Sequence, residues 1–402
     1  MTDQLRLNDV CSQIVDCEHR TAPEAAIGHE YGYSIGTPNI RDGRLLLATA
    51  KRVDETTYRA WTTREVPHKN DIILTREAPV GESAFLDGSY PICLGQRTVL
   101  LRPDLQKVSP RYLHYRILSP AVQERLHSHA EGSTVAHLNV GDIRRITLGS
   151  LPALRDQEQI GSLLGALDDK IAVNGRVACT SLTLAQAEYD EAAKSESWRS
   201  LPMGQSAHWL SGGTPSTTEP SYWDGDMPWI SALSLKSPWI TDSDRRVTQL
   251  GVEHGTRVVP RDTIIFVVRG SSLDSEFRIG LTQREVAFGQ DCKALLVADG
   301  IDPIVLFLAI RSRSSDILHL VDHAGHGAGR LATDLITNVL VRLPDPSLEA
   351  AGCDRLRHLV DIGAQRQAEN RTLLELRDTL LPRLMSGEIR VREAERVVED
   401  AT

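Results

Sequence analysis

The chain has 402 residues, 41% of them hydrophobic and 25% charged, and a formal net charge of -9. That length suits two or three domains, each able to bury its own core, and the composition excludes wholesale disorder. No apolar run reaches the ~18–20 residues of a membrane span, and the opening residues lack the basic and apolar regions of a secretory signal, so a cytoplasmic protein without a membrane partner is expected.

Cys11, Cys17, Cys93, Cys179, Cys292 and Cys353 form no CxxC pair, a pattern of free thiols rather than of a zinc cage. Acidic side chains outnumber basic ones in each of 1–140, 141–200, 201–345 and 346–402. No stretch therefore offers the basic footprint usual for a nucleic-acid binder.

In chain order, a first mixed segment (1–150) carries short strands at Ile72–Leu74 and Val99–Leu101 between Gly- and Pro-bearing turns. A helix from about Pro110 to His127 follows. Leu151-Pro152 opens a helical segment, 151–196. Its Ile160, Leu164, Leu167, Ile171, Asn174, Ala178, Leu182, Ala185 and Tyr189 follow a 4-3 spacing that draws one seam along one side of a helix.

A second mixed segment, 197–345, has strands at Ile264–Val268 and Ala294–Val297 and a helix from about Pro303 to Leu320. Leu343-Pro344 leads into a second helical segment, 346–390. The seam there is more ragged, through Leu356, Val360, Gly363, Gln367, Asn370, Leu374, Arg377, Leu381 and Leu384. Gly352 and Gly363 each cost this helix roughly 1 kcal/mol against alanine. Residues 391–402 read as a tail.

An internal repeat of about 192 residues orders these elements. Asp71-Ile-Ile-Leu74 with Arg76 recurs as Asp262-Thr-Ile-Ile-Phe266 with Arg269. Gly95-Gln96 recurs as Gly289-Gln290, Pro110-Arg-Tyr-Leu113 as Pro303-Ile-Val-Leu306, Gly132 with Leu138 as Gly325 with Leu331, and Leu151-Pro152 as Leu343-Pro344. Each helical stripe fits a helix packed on its own domain, or two helices paired as a spacer; the repeat favours the pair. The expected fold is α/β (α+β): two tandem mixed heads separated by two long antiparallel coiled-coil helices about a pseudo-two-fold axis.

The residues from Leu151 to Ile160, continuing through Leu167-Asp-Asp-Lys-Ile171 to Asn174, resemble the central conserved region of type I restriction–modification specificity subunits. Asn370 to Glu388 resembles their C-terminal conserved region. Ser211-Gly-Gly-Thr-Pro-Ser216, Tyr222-Trp223 and Asp226-Met-Pro-Trp-Ile230 are similar to the opening of many of their target-recognition domains. The first head has no Gly-Gly-Thr-Pro-Ser counterpart, and the second helix lacks the Glu-Gln of the first.

The resemblance implies a non-catalytic reader of double-stranded DNA with a bipartite, asymmetric target. The helices would set the gap between the two half-sites. They would also dock two modification subunits, which bind S-adenosylmethionine and methylate adenine, and a restriction or motor subunit is expected to join them. No cofactor is expected in this chain. Helices of roughly 38–40 residues, about 57–60 Å long, imply half-sites on the order of 10 bp apart.

Within that reading, DNA contacts fall to donors on loops. Arg76 with Arg269 and Arg97 with Lys293 are candidates because they recur in both heads. Ser133, Thr134 and His137 match His326 and Arg330, while Thr214, Ser216 and Lys236 belong to the second head. For the helix and subunit interface, the candidates are Ile160, Leu164, Leu167, Ile171, Asn174, Leu182, Leu356, Val360, Asn370, Leu374 and Leu381.

Two other readings compete. One is a related recognition subunit of another phage-defence system. The other is a self-contained metal-dependent or nucleolytic enzyme on a duplicated scaffold. No methyltransferase loop and no phosphate-binding GxxxxGK[ST] string occurs. Asp291-Cys292-Lys293 mimics the tail of a nuclease signature, and Asp168-Asp169-Lys170 reads as solvated helix charge. His319, Asp322, His323 and His326 have metal-ligand spacing, but their place at a helix end favours a DNA or structural role. No metal or catalytic residue is assigned.

Overall fold

The computed structural model describes residues 5–130, 136–323, 329–345 and 351–401. It divides into two compact units, Met1–Ile171 with Thr372–Thr402, and Ala172–Arg371. Among the described residues, no helix is long and apolar enough to cross a membrane.

Unit 1 is built on an antiparallel sheet in the spatial order Cys11–Asp16, Thr98–Pro103, Ile72–Arg76, Val80–Phe85. Ile72, Ile73 and Leu74 are all buried, the continuous apolar run of a strand covered on both faces. A smaller sheet joins Lys51–Val53, Gly32–Ile35 and Ile92–Leu94, the last two in parallel. The expected helix from Pro110 to His127 is two helices, Pro110–Leu118 and Pro120–Ser128. Pro120 holds Ser119 in extended backbone (φ -66°, ψ 145°), as proline does to the residue before it. Leu5–Arg6 pairs with Thr147–Gly149 and brings the two ends of the head together.

His114, inside this head, is fully enclosed between the Phe85 and Tyr115 rings, with Nδ1 3.2 Å from the Ser83 hydroxyl. Burial lowers its pKa from 6.5 to about 4. The unfolded chain then takes up the proton first. Stability is complete above pH 6.5 and is lost as the pH falls towards 4, by on the order of 3 kcal/mol. Urea midpoints at pH 7 and pH 5 should differ in the wild type and converge in His114→Gln; an equal difference in both would acquit the histidine.

Unit 2 repeats the plan. Ala207–Ser211, Cys292–Val297, Ile264–Val267 and Ile279–Thr282 follow the same antiparallel order, with Trp239–Ile240 added in parallel at the edge. The small sheet runs Arg246–Val247, Trp223–Ile230, Val286–Phe288, Arg257–Val259. Pro303–Ser312 forms a helix capped by Asp302, whose carboxylate accepts from the amides of Ile304 and Val305 at 2.7 and 3.2 Å, satisfying groups a helix start leaves open. Trp198–Pro202 pairs with Leu340–Pro344 at the base of this head.

The first long helix is Leu154–Ala192 and the second Ala351–Ser386. Inside unit 1 they run antiparallel, with Asp168 beside Arg377 and Ile160, Leu164, Leu167 and Ile171 clustered with Leu373, Leu380 and Leu384. In unit 2 the sense is the same: Glu188 receives both ends of the Arg355 guanidinium at 2.7 Å, and Leu182 shares a core with Leu356 and Val360. Residues 391–402, expected as a tail, contain the helix Val391–Ala401. Its Val391, Ala394 and Val398 lie on one face and close the unit 1 core.

Candidate nucleic-acid interface

In unit 1, three expected DNA contacts meet at one end of the main sheet, and only some of them are free to leave it. Arg76 ends its strand but donates to both carboxylate oxygens of Asp16 at 2.9 Å, with 15% of its side chain exposed. It ties two strands together, which corrects its reading as an exposed donor. Arg97, half exposed in a left-handed turn (φ +68°), pairs with Glu77 at 2.6 Å, and the His137 backbone bridges to Glu77. Ser133 and Thr134 lie outside the described residues.

The same end of unit 2 carries Arg269 and Arg330, both exposed and joined by a backbone bridge. Neither side chain has an ion pair among the described residues. Pairing registers correct the expected equivalences. Ile72 faces Leu101, and Ile264 faces Leu295, so Arg76 corresponds to Val268 and Arg269 to Glu77. Lys293 corresponds to Val99 rather than Arg97. A shift of one residue along a strand moves a side chain to the opposite face, so Arg76 and Arg269 do not occupy equivalent positions.

Lys293 reaches the Ser211 hydroxyl at 2.7 Å. Ser211 is the counterpart of Asp16, so both heads bring a cation to the end of their first strand, each from a different neighbour. Register also places Cys17-Glu18-His19-Arg20-Thr21 where the second head has Gly212-Gly-Thr-Pro-Ser216. The counterpart exists without the motif.

Ser216 and Thr218 share a hydroxyl hydrogen bond at 2.8 Å, and Thr214 is half-buried. Their loop is pinned by Trp223 and Trp229, which donate to the carbonyls of Ser216 and Gly213 at 3.0 Å. The Arg245 guanidinium stacks 3.8 Å over Trp223, and Arg20 stacks 4.1 Å over Trp61 in the first head. Sequence reading missed both stacks, and they are not equivalent: register aligns Arg245 with Lys51 and Trp61 with Gly255. Lys236 is exposed on a separate loop. His326 lies outside the described residues.

The seam residues Ile160, Leu164, Leu167, Ile171, Asn174, Leu182, Leu356, Val360 and Asn370 are all buried, within helix pairs and head contacts of their own unit. A partner subunit would have to use other faces. Leu374 and Leu381 are only partly buried, and Leu373 and Leu380 take the inner positions. Each is half of a Leu-Leu doublet, which leaves the seam's phase open in the sequence.

Asp168 is not solvated charge. With 14% of its side chain exposed, it accepts from Arg44 at 2.7 Å, Arg377 at 3.0 Å and the Tyr115 hydroxyl at 2.6 Å. Burial pushes its pKa up, but the Tyr115 and Arg44 hydrogen bonds and the charges of Arg377 and Arg44 outweigh this and hold it below the usual range.

Groups with a chemical look are otherwise engaged. The Cys292 thiol is fully buried and pushed up to about 12, by burial first and then by Asp291; its neighbour Lys293 is held by Ser211. His319, Asp322 and His323 assemble no ligand group among the described residues, where His323 sits 3.4 Å from Asp274. Asp16, Cys17 and His19 do bring three ligand atoms within 4.8 Å of one another. Arg76 already occupies Asp16, and its positive charge opposes a cation there.

Residues 18–177 match the family described as the type I restriction modification DNA specificity domain. Over 150 residues the chain is 29% identical to the type I restriction enzyme EcoR124I/EcoR124II specificity subunit of Escherichia coli, covering 37% of each chain. It is 23% identical over 167 residues to the MjaIX specificity subunit of Methanocaldococcus jannaschii, covering 40% of this chain and 38% of that one. The matched stretch thus spans well under half the length of these curated relatives. The fold is similar to the crystal structure of a type I restriction-modification system S subunit from M. genitalium, with a TM-score of 0.62 at 16% identity over 94% of this chain and 95% of that one.

Proposed function

We propose, from the premise that this chain belongs to the specificity family of type I restriction–modification systems, that it is the non-catalytic subunit that selects the DNA sequence. The observation that carries this reading is the duplication: two heads with one strand order, each closed by a strand pair at its base. Each head reads one half of a bipartite target in double-stranded DNA. Arg269 and Arg330 are the leading donors of the second head, and Arg97 with His137 are those of the first.

The outward faces of the long helices dock two modification subunits. These bind S-adenosylmethionine and methylate adenine, and a restriction subunit completes the assembly in the cytoplasm. The net charge of -9 fits a reader whose partners supply much of the cationic surface around the duplex. The length of the helices sets the gap between half-sites.

The two heads present different chemistry at equivalent places, Glu77 against Arg269 and His137 against Arg330. Different sets of donors and acceptors read different bases. Methylome sequencing of a host carrying the complete system should therefore show an asymmetric bipartite motif, and a palindromic one would refute the reading of two distinct heads.

A further inference from the structure

Both units have a cleft at the same place in the fold, and they charge it oppositely. In the equivalent hairpins Ser83 faces Leu74 and Ile279 faces Phe266, so Glu82 corresponds to Arg278. The helices starting at Pro110 and Pro303 align Leu118 with Arg311. The unit 1 cleft, of about 400 Å³, is lined by Asp42, Glu82, Asp378 and Leu118, with Arg377 as its one guanidinium. Burial, then the charge of Asp42, pushes the Glu82 carboxyl up. The unit 2 cleft, of about 70 Å³, is lined by Lys236, Glu276, Arg278 and Arg311.

One of the unit 2 cations is accounted for. Arg278 pairs with Glu276 at 2.9 Å and donates to the Ala232 carbonyl at 3.3 Å. Arg311 is not. It follows the wholly buried run Ile304–Ile310, its Nε is buried without a hydrogen-bond partner, and its guanidinium lies 5.5 Å over the Phe307 ring. No carboxylate meets it among the described residues, and Lys236 likewise has no ion pair there. Desolvation lowers the Arg311 pKa. Leucine serves at this place in unit 1, and a part-buried cation is unfavourable unless an anion neutralises it.

We propose that this cleft is an oxyanion site that seats one backbone phosphate of the DNA, with Arg311 behind it, Arg278 beside it and Lys236 at its edge. Donors from the end of a helix and from two loops converge there, as suits a tetrahedral group with several free oxygens. The cleft adjoins the DNA-reading end of the sheet: the amide of Val267, two residues before Arg269, donates to the Arg278 carbonyl at 3.0 Å. A phosphate contact fixes position and carries no sequence information, so it adds to the proposed function and rests on it.

The test uses the full chain in complex with its modification subunits, on a duplex bearing the motif found by methylome sequencing. Arg311→Leu, which installs the residue of the equivalent position, should melt no lower than the wild type. Its plot of log affinity against log salt should flatten by about one unit, while the methylated motif stays the same. Lys236→Ala, at an exposed position, should flatten the same plot. Inorganic phosphate should raise the melting temperature of the wild type and not that of Arg311→Leu.

Wild-type affinity and slope in both variants would overturn the proposal, even if inorganic phosphate still binds. So would loss of the modification subunits from the Arg311→Leu complex, which would make the cleft a protein interface. A wild-type complex that binds no duplex would instead overturn the DNA reading itself.

Discussion

Replacing Asp168 by alanine is expected to destabilise unit 1 by about 3 kcal/mol, because it leaves the part-buried Arg44 without a counter-charge and Arg377 with Asp378 alone. Arg44 comes from the head, Arg377 from the second long helix, and Tyr115 from a head helix, and all three converge on this one carboxylate of the first long helix. For a unit of this size the loss corresponds to on the order of 10 °C in melting temperature. Amide exchange should show the loosening in Arg41–Leu45 and around Arg377 rather than in the sheet. Tyr115→Phe removes one hydrogen bond and should cost less, about 1–2 kcal/mol. An Asp168→Ala protein as stable as the wild type would show that the three contacts contribute nothing net.

Gly363→Ala is expected to destabilise unit 2 by about 1–3 kcal/mol, although helix propensity alone favours alanine by about 1 kcal/mol. The Trp239 indole packs against this glycine so closely that an added Cβ would overlap its six-membered ring. The ring cannot swing away freely: it is 4% exposed, and Nε1 donates to the Val360 carbonyl at 3.2 Å. In a Trp239→Ala background the same substitution should therefore change sign and stabilise. Urea unfolding of the two single variants and the double variant measures this directly. Destabilisation of equal size in both backgrounds would place the cause elsewhere.

Gly363 also shows where sequence reading stops. In the sequence it is a flaw in a helix, and only the packed fold supplies the tryptophan that needs it. What was legible had a long period or a strong pattern: the core strands, the duplication, and the seam of the first long helix, all nine of whose members are buried. What failed was phase. Leu373-Leu374 and Leu380-Leu381 offer two equally apolar choices, and only the partner helix decides between them.

The arginines failed for a related reason. Arg76 and Arg269 both follow an apolar strand, yet strand pairing sets them one residue apart, so one is locked to Asp16 and the other is exposed. Asp168 looked like surface charge because its three partners are 53, 124 and 209 residues away. Sequence spacing carries no trace of such contacts.

The composition of unit 1 has a consequence for biosynthesis. Residues 372–402 belong to it, yet the ribosome delivers them only after all of unit 2, which is continuous. Until they emerge, Leu164, Leu167 and Ile171 have no Leu373, Leu380 or Leu384 to cover them, and Asp168 lacks Arg377. At roughly 5–20 residues per second, two hundred residues of unit 2 take on the order of 10–40 s to make. For that time the nascent chain presents an apolar stripe and a half-neutralised carboxylate, a surface suited to a chaperone.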